Sequence, residues 1–390
     1  MADASRPRPV GSTARAKLRV AHLSSVHEPF DARIFHKECA ALVAAGHDVS
    51  LVAPYEGAVE DSGVHVHAVT PGRGRLNRMT RTVREVYRIA RRLDADVYHF
   101  HDPELIPVGL LLKMRGKHVV YDAHEDLPRQ LRSKYWIPRW LRGPLGALIE
   151  GLERPVSRCF DAVVAATPTI ARRFPVGRTV VVRNYPIVTE FASLVGENYG
   201  TRSRTVVYVG AITEPRGARQ MVAAMECLPA QLGAELELVG TFSPAPLEGA
   251  LGLEEAWSRV VYHGRQERDG VAAALSRARV GLVVLQPRPN YLEALPVKLF
   301  EYMAAGIPCV ASDFPLWREI IETAQCGLLV DPGDPEAIAA AVAWLLENES
   351  DAREMGQRGR EAVENVYNWE GEARRLVDLY ARFGADSGAG

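Results

Sequence analysis

Residues 18–53 read LRVAHLSSVHEPFDARIFHKECAALVAAGHDVSLVA, and this stretch decides the fold class. Leu18–Leu23 and Val49–Ala53 are short apolar runs typical of buried strands. Residues 32–45 between them place apolar side chains at helical spacing, and Asp31 stands where a helix N-cap belongs. The stretch predicts a strand–helix–strand unit with parallel strands and a right-handed crossover.

The same alternation of strand and helix runs through the rest of the chain. Further strands are predicted at 64–69, 96–101, 117–121, 161–166 and 179–183, and a second series at 205–209, 235–239, 259–263, 280–285, 307–311 and 327–330. Three consecutive helices are predicted at 335–347, 351–366 and 368–384. Two such blocks predict two doubly wound α/β domains. Because ligands bind beyond the carboxyl ends of parallel strands, we expect the site in a cleft between the domains.

The domain bounds follow from changes in composition. Residues 1–17 hold prolines and basic side chains without an apolar centre, which predicts a disordered tail rather than a secretion signal. The first domain is predicted at 18–190, the second at 203–366, and the linker lies within 186–204. Residues 367–385 form a last helix that can cross back to the first domain.

Composition excludes several classes of protein. The chain has 390 residues, with 47 Lys and Arg against 48 Asp and Glu, so its net charge does not indicate nucleic acid. Hydrophobic residues make up 47%, as in globular proteins. Five scattered cysteines form no C-x-x-C pair, which favours a reducing cytoplasm. No apolar stretch predicts a membrane-spanning helix, and attachment to the inner membrane face stays open.

The most informative motif is residues 293–308, EALPVKLFEYMAAGIP, after the predicted strand 280–285. Pro296 suits the first turn of a helix, so N–H groups around 294–297 are expected to be unpaired and to bind phosphate. Glu301 can accept hydrogen bonds from a ribose diol, and Lys298 can neutralise a phosphate. The alternative is a solvated amphipathic helix carrying two surface carboxylates.

With two glutamates separated by seven residues, this motif resembles the E-x7-E signature of the retaining family 4 glycosyltransferases, which have the GT-B fold. The resemblance extends to segments in both halves: His27 through Gly46, His101–Glu104, Tyr121–Glu125, Val209-Gly210 with Arg216-Gly217, Gly240, and His263-Gly264. It implies two facing Rossmann-like domains, the first binding an acceptor and the second a nucleotide sugar such as a UDP-, GDP- or dTDP-sugar. It also implies retention of anomeric configuration without a metal or another cofactor.

The resemblance assigns roles to individual residues. His124, Glu293, Arg216 and Lys298 are the expected catalytic residues, with His124 and Glu293 contacting the donor sugar. The expected donor contacts are Gly210, Arg216, Gly240, Thr241, Gly264, Arg265, Ala294, Leu295, Pro296, Lys298 and Glu301.

One position departs from the family pattern. Ala211 stands where the family has an arginine, and Arg216 where it has a lysine. Since the leaving diphosphate must be stabilised as its charge grows, we expect Lys298 to supply the missing charge.

Other polar residues of the first half have local alternatives. His99 and His101 share one face of a strand, and with His124 they resemble zinc ligands, although the family resemblance requires no metal. Asp94 and Asp96 imitate a metal-binding D-x-D motif but are interpreted as local structure. Arg33 is a candidate for contacting the acceptor or the diphosphate. No G-x-G-x-x-G motif supports dinucleotide redox chemistry.

Two segments are strongly basic: residues 73–92, with eight arginines, and residues 129–142, where arginines alternate with aromatic residues. Such segments bind anionic membranes or anionic acceptors, or they form a solvated helix face. We expect peripheral membrane contact through 129–142 and no nucleic-acid binding.

Two rival functions remain at this stage. One is a GT-B-type sugar-nucleotide epimerase, which would act without an acceptor. The other is a non-catalytic sugar-nucleotide-binding protein, suggested by Ala211.

Overall fold

The computed structural model describes residues 17–386 except 58, 59, 62, 73, 75, 76, 134–136 and 195–198. Several sequence predictions lie outside these residues: the tail up to residue 16, Arg73, Arg75, Lys134, Tyr135 and Trp136.

Two separate sheets organise the described chain, which confirms the predicted α/β class. The first has the order β3-β4-β2-β1-β5-β6-β7-β8, and the second has the order β11-β10-β9-β12-β13-β14. The strands of the first sheet are β1 Arg19–Leu23, β2 Asp48–Pro54, β3 Glu60–Asp61, β4 Val64–Val69, β5 Val97–Phe100, β6 His118–Ala123, β7 Ala162–Ala165 and β8 Thr179–Val181. Those of the second are β9 Thr205–Val209, β10 Glu235–Val239, β11 Val260–Gly264, β12 Ala278–Val283, β13 Cys309–Ser312 and β14 Gly327–Val330. All pairings are parallel except that between β3 and β4.

Helices cover both faces of each sheet. Those of the first half are α1 Ala40–Ala44, α2 Val83–Leu93, α3 Ile106–Lys113, α4 Leu127–Ser133, α5 Arg139–Ser157 and α6 Pro168–Ala171. Those of the second half are α7 Ala218–Cys227, α8 Pro246–Leu251, α9 Arg268–Arg277, α10 Val297–Ala304, α11 Pro315–Ala324, α12 Pro335–Glu347, α13 Glu349–Asn365 and α14 Trp369–Asp386. Wider π-helical turns at Ile34–Cys39 and Arg78–Thr82 lead into α1 and α2.

The first strand–helix–strand unit has the predicted form. β1 and β2 pair in parallel, and the Asp31 carboxylate accepts hydrogen bonds from the N–H groups of Arg33 (2.8 Å) and Ile34 (3.0 Å). Gly46, with φ +92°, follows the helix in the left-handed conformation that glycine adopts without strain. Local capping therefore sets where this helix begins and ends.

The last helix, α14, returns to the first sheet. Its side chains Trp369, Tyr380 and Phe383 are buried in the core beside Leu18 and Val20 of the first strand region. The C-terminal segment of the chain thus completes the core of the first domain. The bounds 18–190 and 203–366 of the two domains remain predictions.

Asp94 and Asp96 have structural roles. Asp94 ends α2 in the left-handed region at φ +45°, and Asp96 accepts a hydrogen bond from the Arg19 N–H at 2.8 Å. Both lie at the amino ends of the strands, away from the cleft. Among the residues described, no helix is long and apolar enough to span a bilayer.

Candidate active site

Three neighbouring strands of the second sheet end in glycines with positive φ: Gly210 at +118°, Gly240 at +150° and Gly264 at +66°. A Cβ at Gly240 would lie 2.0 Å from the Gly210 carbonyl oxygen, so only glycine fits there. Gly210, Gly240, Thr241 and Arg265 line one cavity of about 290 Å³. The strand ends thus form a shallow pocket. Because its glycines carry no side chains, a flat or charged ligand can approach the backbone closely.

Lys298 and Arg216 converge beside Gly210. A Cβ at Gly210 would lie 3.3 Å from Lys298 Nζ and 3.7 Å from an Arg216 guanidinium nitrogen. Lys298 Nζ lies 3.6 Å from the centroid of the Tyr208 ring, is buried, and has no hydrogen-bond partner among the described residues. Burial lowers its pKa well below the usual range; Arg216 adds to the effect and Glu301 opposes it. A buried amine without a partner beside a second cation suits an anionic ligand.

The loop before α10 departs in part from the sequence prediction. Pro296 is the cap residue before the helix rather than part of its first turn. The Ala294 N–H is not free, because it donates to the Tyr291 carbonyl at 3.1 Å, and Trp317 Nε1 donates to the Ala294 carbonyl at 2.7 Å. The expectation of unpaired N–H groups is therefore wrong at Ala294, where the loop closes a turn of its own.

The two glutamates of the motif lie in different surroundings. Glu301 is half-buried; burial raises its pKa, against the opposing charges of Lys37, Arg268 and Lys298. Glu293 is exposed and forms an ion pair with Arg129 of the first domain. Arg129 is 164 residues away in sequence. Glu293 thus lies at the boundary between the domains, whereas Glu301 lies deeper in the second.

His124 faces Glu293 across the cleft. It follows β6, and its Nδ1 lies 3.7 Å from the Asp122 carboxylate. It lines a cavity of about 330 Å³ together with Arg216, Glu293, Ala294 and Leu295. Most predicted site residues therefore lie in two neighbouring cavities, and His124 also lines a third, of about 500 Å³, within the first domain.

Arg33 does not have the expected freedom. Its guanidinium donates to both Asp122 carboxylate oxygens (3.0 and 3.1 Å) and to the Val182 carbonyl (3.0 Å). Only 5% of the residue is exposed. Three of its five N–H donors are thus engaged inside the first domain, although Arg33 still lines the cavity that His124 and Glu293 line, so a contact with the acceptor or the diphosphate stays a prediction.

Sequence reasoning missed Arg129, Tyr208 and Lys37 as site residues. Lys37 lies close enough to influence Glu301, and its Nζ donates to Asn184 at 2.6 Å. Arg129 had a signal in the basic segment 129–142, but its partner could not be read from the sequence. Tyr208 carried no signal beyond its place in a buried strand.

A charged pair supports the floor of the first-domain cavity. His27 Nδ1 lies 3.2 Å from Asp102, which also accepts from Ser24 Oγ at 2.8 Å and the Ser25 N–H at 2.6 Å. Burial disfavours the charged forms, but the pairing outweighs it, raising the pKa of His27 to about 9 and lowering the pKa of Asp102 to about 2.

We expect His27→Gln to lower the free energy of unfolding by about 1–3 kcal/mol near neutral pH. Because the folded-state pKa of His27 is raised, its contribution is complete below about pH 6.5 and is lost as pH rises through about 9. Urea unfolding of both proteins across this range measures the difference. An equal difference at both ends would contradict the pairing.

Two family models match the chain in succession. The model of glycosyltransferase family 4 matches residues 32–176, and that of glycosyl transferases group 1 matches residues 196–362. Together they extend over both sheets.

Two mannosyltransferases are among the relatives of the chain. The chain is 27% identical over 361 residues to a phosphatidyl-myo-inositol mannosyltransferase of Mycobacterium leprae, covering 86% of this chain and 88% of that protein. It is 25% identical over 312 residues to an MMP alpha-(1->4)-mannosyltransferase of Mycolicibacterium hassiacum, covering 75% and 72%.

Solved structures share the fold at lower identity. Sucrose-phosphate synthase of Thermosynechococcus elongatus superposes with a TM-score of 0.75 at 21% identity, covering 95% of this chain and 100% of that one. The glycosyltransferase WaaG gives 0.67 at 18%, covering 92% and 99%. HepE of Anabaena, solved with UDP-glucose, gives 0.70 at 14%, covering 94% and 100%. The fold is therefore GT-B.

The two matched models, the mannosyltransferase relatives and the two-sheet fold agree with one another. The chain is an enzyme of the hexosyltransferase type that uses a nucleotide-sugar donor, and it belongs to the GT-B glycosyltransferases of family 4.

Proposed function

We propose that the enzyme transfers a hexosyl group from a nucleoside diphosphate sugar to an acceptor hydroxyl, with retention of configuration and without a metal. The observation that carries this proposal is the meeting of Lys298 and Arg216 beside Gly210, with His124 on the opposite wall of the cleft. Two fixed cations can stabilise the charge that grows on a leaving diphosphate.

The donor would lie along the strand ends of the second domain. Its base would rest near Gly264 and Arg265, its ribose hydroxyls would donate to Glu301, and its phosphates would lie against Lys298 and Arg216. The cavities support this order, because Gly210 lines the pocket at Gly240, and Arg216, which lies beside Gly210, lines the pocket at Glu293. The sugar would then lie between Glu293 and His124.

The acceptor would occupy the 500 Å³ cavity of the first domain, which opens at His124. Glu104 and Glu125 line it, and Arg78 donates to the Glu104 carboxylate at 2.8 Å. Because carboxylates accept hydrogen bonds from hydroxyl groups, this lining favours a polyhydroxylated acceptor such as a glycan, a lipid-linked sugar or a natural product.

Retention follows if the acceptor attacks from the face that the diphosphate leaves. The bond from the anomeric carbon to the phosphate oxygen breaks, the bond to the acceptor oxygen forms, and the departing phosphate takes the acceptor proton. Lys298 and Arg216 hold that phosphate in place. Glu293 and His124 position the sugar by non-covalent contacts, and neither forms a covalent bond to it.

A panel of nucleotide diphosphates with thermal unfolding as readout tests the donor site first, since a ligand bound to the folded state raises its stability. Mannosyl and glucosyl donors of the preferred base are then incubated with polyol acceptors in chelator. We expect acceptor-dependent nucleotide release and a product of unchanged anomeric configuration.

Three results would contradict the proposal: no stabilisation by any nucleotide, sugar conversion that needs no acceptor, or loss of turnover in chelator while thermal unfolding shows that the protein stays folded. The second would indicate the epimerase. The mannosyltransferase relatives do not favour it. Ala211 had suggested a non-catalytic protein because it lacks a positive charge. Lys298 lies beside Gly210 and can supply that charge, so this argument is weaker.

We further propose that the enzyme acts in the cytoplasm and binds the inner membrane face, through the predicted segment 129–142 and its continuation along α5. This helix exposes Leu141, Leu148 and Leu152 at helical spacing, and Trp140 is 76% exposed. Arg139 begins the helix, and Arg154 lies near its end. Exposed apolar and basic side chains on one helix are typical of peripheral membrane contact.

Leu148→Asp combined with Leu152→Asp is expected to reduce co-sedimentation with phosphatidylglycerol vesicles at low salt by about tenfold or more. Leu253→Asp in the second domain is the matched control, because Leu253 is 88% exposed and lies outside α5. Equal binding by all three proteins, or no binding by the wild type, would contradict membrane contact through α5.

A further inference from the structure

Three histidines and one glutamate, all side chains that can bind a metal ion, meet in the interior of the first domain, beneath the cleft. They are His22 on β1, His99 and His101 at the end of β5, and Glu38 on the π-helical turn above them. Each exposes 1% of its surface or less. One ligand atom from each lies within 4.8 Å of the others. β1 and β5 pair with His22 opposite His99, so the sheet register itself brings these imidazoles together.

The distances suit a small cation. His22 Nδ1 and His101 Nε2 share a hydrogen bond of 2.9 Å, whose proton a metal would replace, and both nitrogens lie 4.0 Å from Glu38 Oε2. Tetrahedral zinc with bonds of about 2.0–2.2 Å needs ligand atoms roughly 3.3–3.6 Å apart. The observed separations lie on both sides of this value and all fall within 4.8 Å, so side-chain rotations are needed to bring the four ligands to one centre.

The outer hydrogen bonds aim two of the imidazoles inward. His101 Nδ1 lies 3.0 Å from an Asp122 carboxylate oxygen, and His99 Nδ1 lies 3.0 Å from the Tyr380 hydroxyl. His99 Nε2 and Glu38 Oε2 have no hydrogen-bond partner among the described residues. Metal-ligating histidines characteristically use their second nitrogen in this way, bonding it to a carboxylate or another oxygen.

The charge of the cluster is also incomplete. Glu38 and Asp122 are two buried carboxylates, and Arg33, whose Nε lies 3.0 Å from both, is the guanidinium between them. A metal ion would add a second positive charge beside these buried carboxylates.

We propose that His22, Glu38, His99 and His101 bind one divalent transition metal, zinc by ligand type, in a closed structural site. All four ligands come from the protein, which leaves no position for substrate. The metal joins β1, β5 and the first helix, and Tyr380 extends this connection to α14. The metal takes no part in the transfer reaction, so zinc binding can be tested independently of the proposed function.

Metal content of the purified full-length protein tests the site. After growth with added zinc and dialysis, we expect about one equivalent of zinc per chain, retained in His65→Gln and lost in His99→Gln and Glu38→Gln. His65 is the matched control because its side chain is 47% exposed and lies outside the cluster. Should the cluster variants fail to fold, X-ray absorption of the wild-type protein must show a shell of imidazole nitrogens and one carboxylate oxygen.

Two results would overturn the proposal. Wild-type protein without zinc, both as purified and after zinc is added to the chelated protein, would mean that a proton on Glu38 balances the cluster. Equal zinc in the wild type and both cluster variants would mean that zinc binds elsewhere. Visible absorption of the cobalt-loaded protein provides a check, since four-coordinate cobalt absorbs far more strongly than six-coordinate cobalt.

Discussion

Replacing Lys298 with methionine is expected to lower kcat about 100-fold to 1,000-fold while the protein stays at least as stable as the wild type. The loss arises because Lys298 would be one of two cations facing the leaving diphosphate. Stability should be kept because Nζ is buried without a hydrogen-bond partner, so an apolar side chain of similar length removes a desolvation cost.

Steady-state kinetics and thermal unfolding of Lys298→Met measure both effects. Lys117→Met is the control, because Lys117 pairs with Asp94 at 2.7 Å on the far side of the first sheet. A second readout is proton uptake on donor binding, which is expected because a bound phosphate raises the pKa of Lys298 that burial lowers. Turnover of Lys298→Met within about twofold of the wild type would remove Lys298 from the mechanism.

Gly240→Ala is expected to weaken donor binding about 100-fold or more and to lower the free energy of unfolding by about 2–3 kcal/mol. The new Cβ would lie 2.0 Å from the Gly210 carbonyl oxygen, and φ at this position is +150°. Relief requires the ends of β9 and β10 to move apart, and those ends form the wall of the donor pocket.

Gly249→Ala is the matched control for this substitution. Gly249 lies within α8, and nothing lies within 4 Å of the Cβ it would gain. Its replacement should leave donor affinity unchanged and raise stability by about 0.5–1 kcal/mol, since alanine favours the helix. Calorimetric binding and urea unfolding compare the two variants. If Gly240→Ala behaved like Gly249→Ala, the backbone contact at the strand ends would not matter.

The fold could be predicted because its signals are local. Each predicted strand is present, with bounds that differ by at most two residues. Apolar runs such as Thr205–Val209 could be recognised because they are buried on both faces of a parallel sheet. The missed strand, Glu60–Asp61, is two polar residues long and pairs in the antiparallel direction. It is too short to show a hydrophobic period.

The site could be predicted only where one segment defines it. The glycines after strands and the helix start at Pro296 are properties of single segments, and the sequence indicated them. Contacts between distant segments could not be predicted, such as Arg129 with Glu293 or Lys298 with Tyr208. These depend on how the domains and helices pack.

Buried charges gave the clearest difference between expectation and structure. Arg33 follows a strand and a cap residue, a position from which an arginine can reach a ligand. Its partner Asp122 lies 89 residues further along the chain, and the pair is buried within the domain. Sequence alone does not show that the charge of Arg33 is already neutralised by a buried partner. This is why Arg33 was a candidate for contacting the acceptor or the diphosphate.

A crystal structure with an unreactive nucleotide-sugar analogue would show whether the donor binds at the strand ends of the second domain. We expect the diphosphate between Lys298 Nζ and Arg216, the ribose on Glu301, and the anomeric carbon facing His124 across the cleft. A donor bound outside the strand ends of the second domain, or with Glu293 and Glu301 both directed into solvent, would contradict this expectation.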